Sequence, residues 1–468
     1  MSYNFHPSSC VFIELSTART SKIIIMLKPK KIPFVIIFLI FLSSMLSCGE
    51  EPTTDDELLK TQSWPEIEAK AKGRTVTFMM WQGSPVVNDY INNYVVPTVK
   101  ERFDIALEIS GGQGPEIVQL VMGEKQADIQ SGQVDIVWIN GETFFQLRKV
   151  NGLWGPFVEQ LPNSEFIDTN DPFINTDFQQ PVKGMEAPWS INQFAIVYDS
   201  TRVENPPKSL PELSGYLKLH PGTFTISNDF TGMTLLKSFL AEIGGGPASL
   251  DGPFEEEKYK KLSHQLWEYI NNNKRYFWKE GRTFPKEQSK MSQLYANGEL
   301  LLTYGFSEGG IEEKVVSGLY PKSTRGYAWE NGTIRNTNYL GILYNAPQKA
   351  AAMQVINFLL SPEAQLKKAD VDGMNANTVL SHEDLPTDWK EKFTKAKKRR
   401  YGPEMAELEQ NAIAEPAPEY MIRLYEDFRT QVIENGTNEK QGIPYRHHFV
   451  HPDRRVALRC GTRLFDIV

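Results

Sequence analysis

Apolar and polar residues alternate from 74 to 80 (Arg-Thr-Val-Thr-Phe-Met-Met) and then, after Trp-Gln-Gly-Ser-Pro at 81–85, recur at helical spacing from about 86 to 102. The first pattern predicts a strand and the second an amphipathic helix. The same pair of signals returns twice. A strand over 105–110 leads through a glycine-rich turn to a helix near 116–125, and a strand over 134–138 leads through Ile-Asn-Gly-Glu-Thr at 139–143 to another helix. Strand alternating with helix predicts a parallel sheet covered on both faces, so this part of the chain reads as an α/β lobe. Sheets of this kind gather ligands at the carboxyl ends of their strands. Trp81, Ser84, Trp138, Asn140 and Glu142 follow the strands and are expected around one crevice.

The pattern changes at 188–199, where a Pro-Trp-Ser loop passes into an extended apolar segment that reads as a first crossing into a second lobe. That lobe is expected to hold a strand over 223–227 and a helix over about 233–243, opened by Asn-Asp-Phe-Thr-Gly at 228–232. Further helices are expected near 255–271 and 286–296, and a strand over 300–304 is expected to make the return crossing. A strand over 337–344 and an alanine-rich helix over 349–360 follow. Ser361 then caps a new helix with Pro362 in its first turn, and helices near 387–398, 403–412 and 418–434 end the body. The expected organisation is a first lobe over 67–187, a hinge and second lobe over 188–305, and remaining lobe segments with C-terminal helices over 306–440. About 370 residues of body exceed one hydrophobic core, which also argues for two lobes.

Upstream, Lys28, Lys30 and Lys31 precede an unbroken apolar run over 34–42, and small residues lead to Cys48. This is the layout of a secretory signal, and the run is far shorter than the about 20 residues that a spanning helix needs. Met26 opens that signal, so residues 1–25 read as an upstream mis-start extension, 26–47 as a lipoprotein signal peptide and 48–66 as an acidic tether. Ser43, Ser44 and Ser47 before Cys48 resemble a lipobox, which implies a lipidated Cys48 and a membrane-anchored protein of the cell envelope. Cleavage that leaves a free thiol is the alternative. Residues 441–468 form a basic tail, with Arg446, Arg454, Arg455, Arg459 and Arg463, and read as a frameshifted or read-through end.

Residues 1–47 hold five basic groups and one acid, which leaves 45 basic and 57 acidic groups and a net charge of −12 after their removal. Such a balance disfavours nucleic acid as a partner, because phosphate binding rests on clustered Lys and Arg. Outside the leader and Cys48 only Cys460 remains, so no internal disulfide and no cysteine-based zinc site is expected. No His-Glu-x-x-His helix, Gly-x-Ser-x-Gly elbow or phosphate-loop lysine occurs, and an enzyme is not expected.

Asn-Phe-Leu-Leu-Ser-Pro-Glu-Ala-Gln at 357–365 resembles the helix-turn of extracellular solute-binding proteins of iron, polyamine, thiamine and sugar importers. Val-Asp-Ile-Val-Trp-Ile-Asn-Gly-Glu at 134–142, Gly-Pro-Phe-Val-Glu-Gln-Leu-Pro-Asn at 155–163, Gly-Met-Glu-Ala-Pro-Trp-Ser-Ile-Asn-Gln at 184–193 and Glu-Pro at 415–416 resemble, more narrowly, its YnjB-like branch. The resemblance covers residues 74 to 436. It implies an α/β, two-lobed type II periplasmic-binding clamshell, a small-molecule solute, and an ABC permease with its ATPase as partners, with no cofactor and a monomeric chain.

Within that frame the expected ligand residues are Trp81, Ser84, Trp138, Asn140, Glu142, Trp189, Gln193, Phe230, Thr231, Asn336, Asn338 and Tyr339. Tryptophan faces stack on rings and cations, and amides supply both donors and acceptors. Each has a plainer reading: an indole wedged in a core, an asparagine capping a turn, a helix start capped by Asp229 or Thr231. Glu186 and Glu308 join Glu142 as loop carboxylates that could meet an ammonium. The expected ligand is cationic or ring-bearing, a thiamine-like molecule or a polyamine. A sugar ligand, a surface glycan-capturing lipoprotein and a secreted hydrolase or lyase are the alternatives.

Overall fold

The computed structural model describes residues 55–306, 310–370, 374–396, 400–403 and 405–434. The strands that matter are β1 (Thr75–Met80), β2 (Ala106–Gly111), β3 (Ile136–Ile139), β4 (Thr176–Asp177), β5 (Gln180–Pro181), β6 (Glu186–Asp199), β7 (Leu302–Phe306), β8 (Thr324–Tyr327), β9 (Thr333–Leu343) and β10 (Ala412–Ala414). The main sheet runs β2-β1-β3-β9-β6-β7, with β10 beside β9 and β8 beside β6. β1 pairs in parallel with both β2 and β3, and its alternate residues Val76, Phe78 and Met80 are buried, as period-two patterning requires. β9 then runs antiparallel to β3 and β6 and parallel to β10, and β6 runs antiparallel to β7 and β8.

The helices used below are α1 (Pro85–Asp89), α2 (Gly114–Gln126), α3 (Gly141–Lys149), α4 (Pro172–Asn175), α5 (Phe230–Ile243), α6 (Gly310–Val316) and α7 (Pro418–Asp427). α5 is buried on every side from Thr231 to Ala241, so it forms the middle of a core and not an amphipathic surface. Its start is fixed by Asp229, whose side chain accepts the N–H of Gly232 at 2.9 Å. Gly232 must be glycine, because a Cβ there would lie 1.7 Å from the Ser227 carbonyl oxygen.

Two hydrophobic cores divide the body. One holds Trp189 and Ile191 of β6 together with Tyr339 and Leu340 of β9, and the other holds Phe194 and Ala195 of β6 together with Ile334 of β9 and Ile413 of β10. The two long strands therefore pass from lobe to lobe, and the pairing between them slips at Asn338/Tyr339. A slipped register bends and twists a strand pair, which suits a hinge.

The return crossing is β9, not the strand near 300–304. β7 pairs with residues 194–198 of β6 and stays in the second core. Residues 223–227, expected as a strand, run extended outside the sheet, although the Thr223 carbonyl accepts the N–H of Leu301 at 2.9 Å. The segments 1–54 and 435–468, with Cys48 and the basic tail, lie outside the described residues.

Candidate functional site

Three indoles stand in line where β1 and β3 end. Trp81 is 42% exposed and meets Trp138 edge to face at 6.4 Å, and Trp138 meets Trp189 edge to face at 4.5 Å. The register sets Leu340 opposite Trp138, so Trp138 and Asn140 share a face with Asn338 and Asn336. The Trp138 Nε1–H donates to Asn338 Oδ1 at 3.0 Å, and Asn140 Nδ2 donates to Asn336 Oδ1 at 3.2 Å. With its N–H committed, Trp138 offers only ring surface. Ser84 caps α1 and extends its hydroxyl to Glu313 of α6, 3.5 Å away on the second lobe. The strand ends of lobe one thus face lobe two.

From the other side come Phe230, half-buried and stacked on Phe306 at 6.0 Å, and the buried Thr231 in the first turn of α5. Glu142, in the first turn of α3, is half-buried and accepts the side-chain N–H of Gln146 at 3.0 Å. Its carboxylate acts on two groups of lobe two. Burial pushes the Tyr425 hydroxyl above its ordinary range, with Asp229 and Glu142 adding to the shift. Burial pushes the Lys237 ammonium well below its ordinary range, and Glu142 opposes that shift. Lys237 lies fully buried, paired with the Glu415 carboxylate, with the rings of Phe178 and Phe230 at 5.1 and 5.5 Å from its Nζ.

A second buried group lies beneath the start of α3. Asp177 accepts the backbone N–H of Gly141, and burial pushes its carboxyl up to about 8. Glu186 is fully buried, neither of its carboxyl oxygens has a hydrogen-bond partner among the described residues, and burial with the neighbouring Asp177 pushes it well above the usual carboxylate range. Burial favours the protonated form of both acids. Their native pKa values exceed the unfolded ones, so the stability they support is complete below about pH 4 and is lost as pH rises through their native values. Unfolding midpoints are expected to fall between about pH 5 and pH 9. Glu186→Gln, neutral at every pH, is expected to flatten that slope, which thermal melts across the range will read.

The structure does not bring every expected residue to the crevice. Trp189 is fully buried in lobe one, where its carbonyl accepts from Gln365 Nε2 at 3.1 Å and from Lys368. Gln193 is buried and donates to Thr333 Oγ1 at 3.1 Å and to the Leu408 carbonyl at 2.6 Å, so it braces the hinge. The buried Tyr339 hydroxyl donates to the Ile174 carbonyl at 2.8 Å. All three sit on strands covered on both faces, and Glu186 shares that position, so none of them stands as an exposed crevice group. Asn336 and Asn338 are also buried, as partners of Asn140 and Trp138. Glu308 lies outside the described residues. Sequence reasoning missed Asp177, Phe178, Lys237, Glu313 and Tyr425. Lys237 had a signal: it is the one charge in the apolar run 235–240.

Two lobes joined by strands that cross between them, with aromatic and polar side chains facing across the gap, are the architecture of a solute receptor. Residues 94–396 match the family model described as bacterial extracellular solute-binding protein, and the chain belongs to that family. It is an extracellular solute-binding protein, acts outside the cytoplasm, and is not an enzyme. It is similar to Protein YnjB of Escherichia coli (strain K12), with 33% identity over 348 residues, 74% of this chain and 89% of that protein. Its fold is similar to that of the spermidine/putrescine ABC transporter substrate-binding protein PotD from Streptococcus pneumoniae, at 15% identity and a TM-score of 0.55 over 76% of this chain and 99% of the other. The TpPotD lipoprotein of Treponema pallidum gives 13% identity and a TM-score of 0.55 over the same shares.

Proposed function

We propose that the receptor closes on a small cationic solute, ring-bearing or polyamine in kind, and hands it to the permease and ATPase of its importer. The observation that carries this reading is the exposed Trp81, which meets Trp138 at right angles and keeps 42% of its surface open to solvent. Indole faces attract cations, and the carboxylates of Glu142 and Glu313 lie on the two sides of the gap. Ser84 and Asn140 supply polar contacts, while Trp189, Gln193, Thr231, Asn336, Asn338 and Tyr339 support the site from behind. The likeness in fold to spermidine/putrescine receptors fits the reading without fixing the ligand. A thermal-shift screen of the mature chain against polyamines, thiamine, sugars and metal ions tests it. A solute held at 100 times its dissociation constant stabilises the fold by about 2.7 kcal/mol. Cationic solutes are expected to raise the melting temperature, and a response to sugars or metals alone would refute the assignment.

We also propose that Cys48 carries the lipid anchor and that translation starts at Met26. Mass spectrometry of the native N-terminus decides this, since an unmodified peptide running through Cys48 removes the anchor.

A further inference from the structure

A two-residue hairpin loop of type I′ needs positive φ at both central positions, which glycine and asparagine supply most easily. Between β4 and β5 those positions are Phe178 and Gln179, at φ 47° and 61°. L side chains resist this conformation, so other contacts must hold it.

The base of the hairpin belongs to lobe one. α4, which leads into it, is tied to β9 by the Tyr339 hydroxyl on the Ile174 carbonyl at 2.8 Å and by the Thr337 hydroxyl on the Phe173 carbonyl at 2.5 Å. Asp177 then caps α3 by accepting the Gly141 N–H. The tip belongs to lobe two. Phe178 is buried in the second core, with its ring 5.1 Å from the Lys237 Nζ. Gln179 Nε2 donates to the Glu415 carbonyl at 2.9 Å, and its Oε1 accepts the Gly252 N–H at 3.2 Å. The Phe178 socket is polar at its floor, because the Lys237–Glu415 ion pair lies there, and drawing the ring away opens a buried charge to water.

We propose that this hairpin is a clasp from lobe one onto lobe two, and that it sets the interlobe angle of the receptor. Phe178 and Gln179 are then positioning residues, which act on solute binding through the geometry of the cleft and not by touching the solute. The proposal does not depend on which solute is bound.

Three variants of the full mature chain test it, with no ligand added. Gln179→Gly relieves the backbone at φ 61° and deletes both side-chain hydrogen bonds, so a hairpin of purely local importance gains from it while a clasp loosens. Phe178→Ala empties the socket. Amide hydrogen exchange in the segment around Gly252 is expected to rise several-fold in Gln179→Gly, and small-angle scattering is expected to show a larger radius of gyration. Phe178→Ala is expected to produce the same two changes, and Phe178→Tyr, which keeps the ring, is expected to restore the wild-type values. Unchanged exchange and an unchanged radius in Gln179→Gly overturn the proposal. Faster exchange at Gly252 with an unchanged radius overturns it as well, because the hairpin then merely covers that amide. Gln179→Gly decides the matter alone if Phe178→Ala fails to fold.

Discussion

Replacing Lys237 by methionine is expected to lower the unfolding free energy by roughly 3–5 kcal/mol, the cost of breaking a buried ion pair by removing one partner. The Lys237 side chain is fully buried and that of Glu415 is 6% exposed, so the carboxylate left behind can be neither paired nor hydrated. The faces of Phe178 and Phe230 add to the loss, because both rings stand near the ammonium. Desolvation opposes the pair, which is why Lys237 is pushed well below its ordinary pKa. The double variant Lys237→Met/Glu415→Gln removes both charges and is expected to recover most of the stability. Urea denaturation with an unchanged m-value will show it. A single variant within about 0.5 kcal/mol of wild type would mean that the pair is not buried as described.

Gly141→Ala is the second large effect. Gly141 has a φ of 42°, and a Cβ there would lie 1.9 Å from the ring of Phe178. The backbone term costs about 1–2 kcal/mol and overpacking about 1–3 kcal/mol, roughly 2–5 kcal/mol together. The same shift pulls the Gly141 N–H from Asp177. Gly141→Ala/Phe178→Ala keeps the backbone cost and removes the clash, so a double-mutant cycle on melting free energies is expected to show favourable coupling between the two changes. Additive effects would contradict the contact.

Much of lobe one was legible because its strands obey period two and its helices follow directly. The alternation at 74–80 is β1, and the run 134–138 overlaps β3, so Trp81 and Ser84 follow β1, Trp138 lies within β3, and Asn140 and Glu142 follow it into α3. β6 was readable as an extended segment because its hinge half is apolar. The first half of β9 was not, since Arg335, Asn336 and Asn338 look like loop residues; Arg335 stays half-buried, while Asn336 and Asn338 are buried in the strand because amides and an indole satisfy one another there. Trp189, Gln193 and Tyr339 show a related limit. In a central strand both faces are covered, so sequence alternation no longer separates cleft from core. The hairpin at 176–181 was invisible because Phe-Gln carries none of the usual turn chemistry and is held by lobe two instead.

Titration calorimetry of the mature chain with spermidine and with thiamine, in wild type and in Trp81→Ala, tests the central claim most directly. Trp81 is the most exposed of the three aligned indoles, and its loss is expected to leave the unfolding midpoint unchanged. At least one of the two solutes is expected to bind wild type at one site per chain, and Trp81→Ala is expected to weaken that binding by roughly 1–3 kcal/mol. Equal affinity in wild type and Trp81→Ala, or no heat from either cation, would contradict a cationic solute held at the Trp81 face.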